Sequence, residues 1–414
     1  MTLLQIASLL VVLAAAFGAV NHLVFRLPTA IGILVVSLIA SLLLVIVDAL
    51  ASEVDLTAAV RTEVLALEFS DTLLEGMLGL LLFAGALHVK LRELREQWRI
   101  VLLMATLGVA LSIAVIGYGF HLVTGIPLIV ALVFGAIVSP TDPVAVLGVL
   151  KEAGLRRSLE VKIAGESLFN DGVAYVAFLI LVGLAFSGSG LHVEGFEDAA
   201  VLFVQEALGG AVLGLVAGWG VWLVMRRIDD PVLEVLITLA LALGGYQMAI
   251  WLHLSAPIAA VCAGLLIGHE VRAGITEEGR DYIDTFWKLI DEILNAVLFL
   301  MIGAEVFAIA FTLDYFLAGL LSIGLSLLGR LAAVAIPVTV LRPFRGFPQG
   351  VIPIMTWGGI KGGISVALAL SLPESEYKPL ILTATYVVVI FSILVQGLTV
   401  TRVSSRYGNE PELL

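Results

Sequence analysis

Ser139-Pro140-Thr141-Asp142-Pro143 interrupts an apolar stretch, 127–149, that is long enough to cross a bilayer. The two prolines lack backbone N–H groups, and each disfavours helix at the residue before it. A helix broken there leaves amide and carbonyl groups without intrahelical partners. At membrane depth such groups are tolerated only against protein or beside a water-filled cavity. A second interruption lies in 349–372, at Trp357-Gly358-Gly359-Ile360-Lys361-Gly362-Gly363. Each of those glycines weakens a helix by about 1 kcal/mol.

Outward from these two breaks, the rest of the chain divides into similar apolar stretches. Thirteen candidate spans run near 3–20, 28–47, 70–88, 100–122, 127–149, 160–186, 201–225, 231–252, 255–269, 286–308, 313–341, 349–372 and 379–401. The interrupted spans are the fifth and the twelfth, and an odd offset reverses their direction through the membrane. Paired, oppositely directed broken helices are the arrangement of transporters built from inverted repeats, with the ion site near the midplane. The expected fold is therefore an all-α polytopic membrane protein of about thirteen transmembrane helices, with inverted repeats and two crossed broken helices.

Composition agrees. The chain has 414 residues, 60% hydrophobic and 14% charged, against about 25% charged in soluble domains. Cys262 is the single cysteine, which excludes an internal disulfide and a cysteine-ligated metal cluster. No basic tract suggests nucleic acid. No Gly-x-x-x-x-Gly-Lys-Ser/Thr loop supports ATP-driven transport, and no cofactor is expected. Leu3 to Val20 lacks the preceding basic residues of a signal peptide and reads as a retained first helix.

The net charge of −12 is unevenly spread. One set of inter-span segments carries Arg26, Lys90 to Arg99, Lys151 to Lys162, Arg226, Arg227, Arg272 to Lys288, Arg342 and Arg345, and the tail carries Arg402 and Arg406. The opposite set carries Asp48, Glu53, Asp55, Glu194, Glu197, Asp198, Glu374 and Glu376, with only Arg61 and Lys378 as basic residues. The positive-inside rule assigns the first set to the cytoplasm. This places the N-terminus outside and the C-terminus inside; the expected location is the inner (plasma) membrane.

Two basic residues, Arg330 and Lys361, fall inside spans. Intramembrane charges are costly and normally face a partner or a cavity. With Asp142, Glu166 and Asp171 they are expected to form one buried polar centre, whereas Asp291, Glu292 and Glu305 lie nearer helix ends and read as interfacial. Asp142 suits converging helix N-termini, and Lys361 suits converging C-termini. Glu166 and Asn170 share a helical face, with Asp171 about 100° further round. Arg330, a permanent cation with a forked head, is the natural structural partner of Glu166. Asp171 is then left without an obligate base. A carboxylate in that position binds either a proton or a small cation, and this competition is sufficient for exchange. Gly210, Gly214 and Gly218 form a small-residue stripe, read as intrachain packing.

Gly165-Glu166-Ser167-Leu168-Phe169-Asn170-Asp171, together with Ser139 to Pro143, resembles the monovalent cation:proton antiporter-1 family of sodium/proton exchangers. Trp357 to Ser365 is similar to that family's late glycine-rich motif, and Phe299 to Val306 also looks like a family segment. The resemblance implies that Asp171 binds the cation and the proton, with Na+ the first expectation and Li+ or K+ also considered. It implies that Thr141 and Asp142 line the helix crossing, that Ser167 places a hydroxyl near the ion, and that Asn170 marks the electroneutral branch. It further implies a homodimer in the lipid bilayer, with 1–402 as one transporter unit. Helices near 100–186 and 313–401 would form the ion-transport bundle and those near 3–88 and 231–308 the dimerisation scaffold, with 201–225 linking them and 403–414 a short cytosolic tail. Two departures stand out: Lys361 occupies a position where arginine is usual, and Ala84 one where many relatives have glutamate.

Two other classes compete with this reading. A cation channel needs a pore lined by carbonyls or carboxylate rings, and the charges here are single and paired. An intramembrane hydrolase using Asp142 and Asp171 lacks a nucleophile–histidine constellation. The protein is expected to be a secondary antiporter and not an enzyme.

Overall fold

The computed structural model describes residues 3–50, 72–142, 157–186, 196–274, 276–308, 312–342, 347 and 350–407. Among these residues the secondary structure is helical throughout, with no strand. Leu3–Val20 (α1) continues into a π turn, Asn21–Phe25, and is followed by Thr29–Leu50 (α2). Asn21 fixes the corner between them, since its side chain both donates to Leu27 O (2.9 Å) and accepts from Leu27 N (3.2 Å). Next come Leu78–Leu87 (α3), Leu91–Leu103 (α4) and Val109–Thr124 (α5), then Leu128–Val138 (α6) and Arg157–Ala185 (α7). Phe196–Met225 (α8), Pro231–Trp251 (α9), Ala256–Gly274 (α10), Glu277–Ala304 (α11) and Leu313–Leu341 (α12) follow. The chain ends with Val351–Trp357 (α13), Gly363–Leu370 (α14), Lys378–Phe391 (α15) and Gly397–Tyr407 (α16).

Every stretch expected to span the membrane contains helix, and most boundaries agree to within a few residues. Two helices start about nine residues early. α4 and α5, joined by the π turn Met104–Gly108, form one rod from Leu91 to Thr124, so Arg92, Arg95 and Arg99 lie on helical turns and not in a loop. The cause is amphipathicity: Leu94, Ile100 and Val101 are buried while the charged residues between them face outward. α11 likewise begins at Glu277, where Thr276 caps it by accepting from Gly279 N at 3.2 Å. Glu53, Asp55, Arg61, Lys151, Arg156, Glu194, Arg345 and the continuation of the fifth span, 143–149, lie outside the described residues.

The helices pack as neighbours in space rather than in strict chain order. α6 lies between α5 and α7, and α12 lies against both α5 and α15. α10 is held between α8 and α3, and α11 packs on α2, α3 and α9. The glycine stripe of α8 is spent inside the chain. A Cβ at Gly210 would meet Ser255 O, one at Gly214 would overlap Ala259 O, and Gly218 faces Ala263. Small residues there bring two backbones into direct contact.

Glu305 departs from its interfacial expectation. It opens the short 3-10 turn Glu305–Ala308 at the end of α11 and is only 3% exposed, with Oε2 unpartnered. α2 draws this helix end inward: Ser37 Oγ donates to Leu300 O (2.9 Å) and Ser41 Oγ to Gly303 O (3.1 Å). Asp291 is half-buried beside Asn295, and Glu292 is exposed and paired with Lys288 at 3.9 Å.

Candidate functional site

α6 stops at Val138 because the next turn would need N–H groups that Pro140 and Pro143 lack. Its last carbonyls are satisfied from far along the chain: Lys361 Nζ donates to Ser139 O (3.0 Å) and Pro140 O (3.3 Å). A cation therefore caps the negative end of a helix dipole. The break at Gly358–Gly362 is completed in the same way. Arg330 Nε donates to Met355 O (3.1 Å), Gln396 Nε2 to Trp357 O (3.0 Å) and Asp142 N to Ile360 O (2.8 Å). Lys361 N donates to Ser392 Oγ (2.9 Å), which in turn donates to Gln396 Oε1 (2.6 Å). Ser392 and Gln396 bound a π turn in the last span, and such bulges recur at functional positions. The Asp142 carboxylate lies against Gly362, the residue preceding α14, where a Cβ would overlap it. An anion thus faces the positive end of α14.

α7 supplies the remaining polar groups. Arg330 forks onto Glu166, with Nη2 donating to Oε2 at 2.9 Å and Nη1 to Oε1. Both residues are buried, at 4% and 1% exposure. Asn170 Nδ2 donates to Thr141 Oγ1 (2.8 Å), Thr141 Oγ1 shares a hydrogen bond with Ser167 Oγ (2.9 Å), and Thr141 N reaches Asn170 Oδ1 at 3.5 Å. This triangle ties the Ser139–Asp142 break to α7. Asp171 is outside it. The residue is 3% exposed, and among the described residues Oδ1 has no hydrogen-bond partner.

Asp171 borders a cavity of about 50 Å³, room for one ion or a few waters. One wall comes from the two breaks and α7, with Pro140, Thr141, Asp142, Asp171 and Gly362 to Ser365. The facing wall comes from α3 and α11, with Leu78, Leu82, Gly85, Asn295 and Leu298 among its residues. The cavity is therefore mostly apolar.

Of the residues singled out in the sequence, Thr141, Asp142 and Asp171 border this cavity. Ser167 and Asn170 brace the loop behind it, Lys361 joins the two breaks, and Glu166 and Arg330 pair with each other. Four polar residues that sequence reasoning passed over also belong here. Ser392 and Gln396 sit four apart in an apolar span, a spacing that puts both on one helical face. Ser365 and Asn295 line the cavity itself; each is a lone polar residue in an apolar run. Ala84 is fully buried.

The comparisons with known proteins converge. The family model described as "Sodium/hydrogen exchanger, transmembrane" matches residues 8–406. The Na+/H+ antiporter NhaP of Pseudomonas aeruginosa is 45% identical over 424 aligned residues, covering 99% of this chain and 98% of that protein. The Na+/H+ antiporter NhaH of Halobacillus aidingensis is 34% identical, covering 82% of this chain and 84% of its own length. The fold is that of the sodium proton antiporter MjNhaP1 from Methanocaldococcus jannaschii at pH 8, with a TM-score of 0.78, 18% identity, and coverage of 99% of this chain and 100% of that one. With its two interrupted spans, its buried polar centre and a family match along nearly its whole length, the chain belongs to the sodium/hydrogen exchanger family, a family of membrane transporters and not of enzymes.

Proposed function

We propose that the protein exchanges Na+ for H+ across the inner (plasma) membrane, one for one and without net charge movement, by competition at Asp171. The observation that carries this reading is the Asp171 carboxylate, buried at the cavity beside the two breaks, with Oδ1 unpartnered among the described residues. Taking a carboxylate out of water penalises its charged form unless a proton or a cation accompanies it. Protonated or cation-bound, Asp171 is neutral in both states. Asn170 adds no second titrating group, and Glu166 is held by Arg330. The antiporter relatives described above support sodium as the exchanged ion; Li+ and K+ are the competitors to test.

The makeup of the cavity lining supports alternating access. The helices near 100–186 and 313–401 carry the breaks and Asp171 and would move as one body. The helices near 3–88 and 231–308 would stay as the dimerisation scaffold of a homodimer, with 201–225 linking the two groups. The cavity lies between α3 and α11 on one side and the breaks on the other, where relative motion exposes Asp171 to alternate sides. The distribution of basic residues supports an external N-terminus and a cytoplasmic C-terminus.

The test is fluorescence dequenching of a pH-gradient probe in everted vesicles on addition of Na+, Li+ or K+. Dissipation of the proton gradient by Na+ at submillimolar to millimolar concentration is expected. A gradient that none of the three cations dissipates overturns the reading, as does dissipation without any added cation.

A further inference from the structure

We propose that the Ser365 hydroxyl is a direct ligand of the transported cation, alongside Asp171. This inference rests on the exchange reading above and goes beyond it in naming the residue. Ser365 is the third residue of α14 and is 1% exposed. It lines the same small cavity as Asp171, and its Oγ has no hydrogen-bond partner among the described residues. A helical serine ordinarily returns its hydroxyl to the carbonyl three or four residues back. At Ser365 those positions are Gly362 and Lys361, which precede the helix and lie in the break. The break therefore does more than free backbone groups, since it also releases a side-chain oxygen that an unbroken helix would consume. A buried hydroxyl without a partner is unfavourable, and here it shares a cavity with the unpartnered Asp171 Oδ1.

Ser167 Oγ bonds Thr141 Oγ1, which also accepts from Asn170, and neither Ser167 nor Asn170 borders the cavity. Hard cations take oxygen ligands, and a neutral hydroxyl adds one without altering the charge balance that Asp171 sets. The positive end of α14 would oppose a cation at Ser365, but the Asp142 carboxylate lies against Gly362 at that terminus and offsets it. Ser365 also sits on the same wall as Asp171, so both ligands would travel with the ion.

Two variants test this. Ser365→Ala removes the oxygen. Ser365→Cys keeps nearly the same volume but replaces a hard ligand by a soft one ill-suited to Na+. In proteoliposomes, both are expected to raise the KM for Na+ by about ten-fold, the loss typical of one bond to a charged group, with the rate at saturating Na+ largely kept. The thermal stabilisation that Na+ gives the purified protein should move to correspondingly higher Na+ in both. A KM within two-fold of wild type in Ser365→Ala, or wild-type behaviour restored by Ser365→Cys, overturns the proposal, since a residue that only fills space tolerates sulfur. Should Ser365→Ala not fold, the near-isosteric Cys variant and its Na+-dependent melting decide alone. Absence of Na+-driven proton movement in the wild type would instead count against the exchange reading.

Discussion

The backbone N–H of Asp142 donates to the carbonyl oxygen of Ile360 across 2.8 Å, so the two broken spans are hydrogen-bonded to each other at their points of interruption. Lys361 strengthens the junction by reaching from one break to the carbonyls of the other. Neither break satisfies all of its own backbone. Each uses the other, together with Arg330, Ser392 and Gln396, which is why irregular chain is stable at this depth.

Asp171→Asn should abolish Na+-dependent proton flux while the protein still inserts and folds. The amide is isosteric, and among the described residues Asp171 Oδ1 has no hydrogen-bond partner to lose. Flux in proteoliposomes that survives the substitution would remove Asp171 from its role.

Glu166→Gln and Arg330→Ala should each cost about 3–5 kcal/mol of stability, because removing one partner of a buried pair leaves an uncompensated charge. Arg330→Ala also strips a donor from Met355 O. Thermal melting in detergent should rank both well below Asp171→Asn. Similar melting temperatures for all three would show that the pair contributes little.

Gln396→Leu tests the repair of the second break. The side chain accepts from Ser392 and donates to Trp357 O, and leaving those groups buried without it should cost about 1–3 kcal/mol. A lowered melting temperature with Na+ affinity also reduced is expected, because the turn it holds carries Lys361. An unchanged protein would mean that water replaces the amide.

The proposed one-for-one exchange rests on Asn170, whose amide donates to Thr141 and does not titrate. Exchange rates in proteoliposomes should not respond to an imposed membrane potential, and a solid supported membrane should record no steady current. Asn170→Asp is not expected to create electrogenic exchange. It would instead break the amide's bond to Thr141 and loosen the first break, and a voltage-dependent rate in that variant would show that Lys361 releases its proton.

Much of this architecture is legible in the residues. Proline spacing at 140 and 143 and the glycines at 358–363 locate both breaks, and the rarity of charge in apolar runs points to Glu166, Asp171, Arg330 and Lys361. What one sequence does not display is how backbone groups freed at a break are re-satisfied. Ser392 and Gln396 look like incidental polar residues until Trp357 O and Lys361 N are seen to need them. Ser365 is missed for the opposite reason: its significance lies in a bond it does not make. Glu305 reads as interfacial because it follows an apolar run, yet tertiary contacts from Ser37 and Ser41 draw that helix end inside.

The reach of Lys361 also sets a timetable for biosynthesis. Its ammonium caps the Ser139 carbonyl from 222 positions later in the chain, so the fifth span emerges from the ribosome long before its partner exists. At translation rates of about 5–20 residues per second, the first break waits roughly 11–44 seconds with its carbonyls and Asp142 N–H uncapped. During that interval the nascent segment depends on translocon water or a holding factor to shelter those groups. The polar centre is therefore assembled near the end of synthesis, and a chain arrested before Lys361 should be recognised by membrane quality control as unfinished.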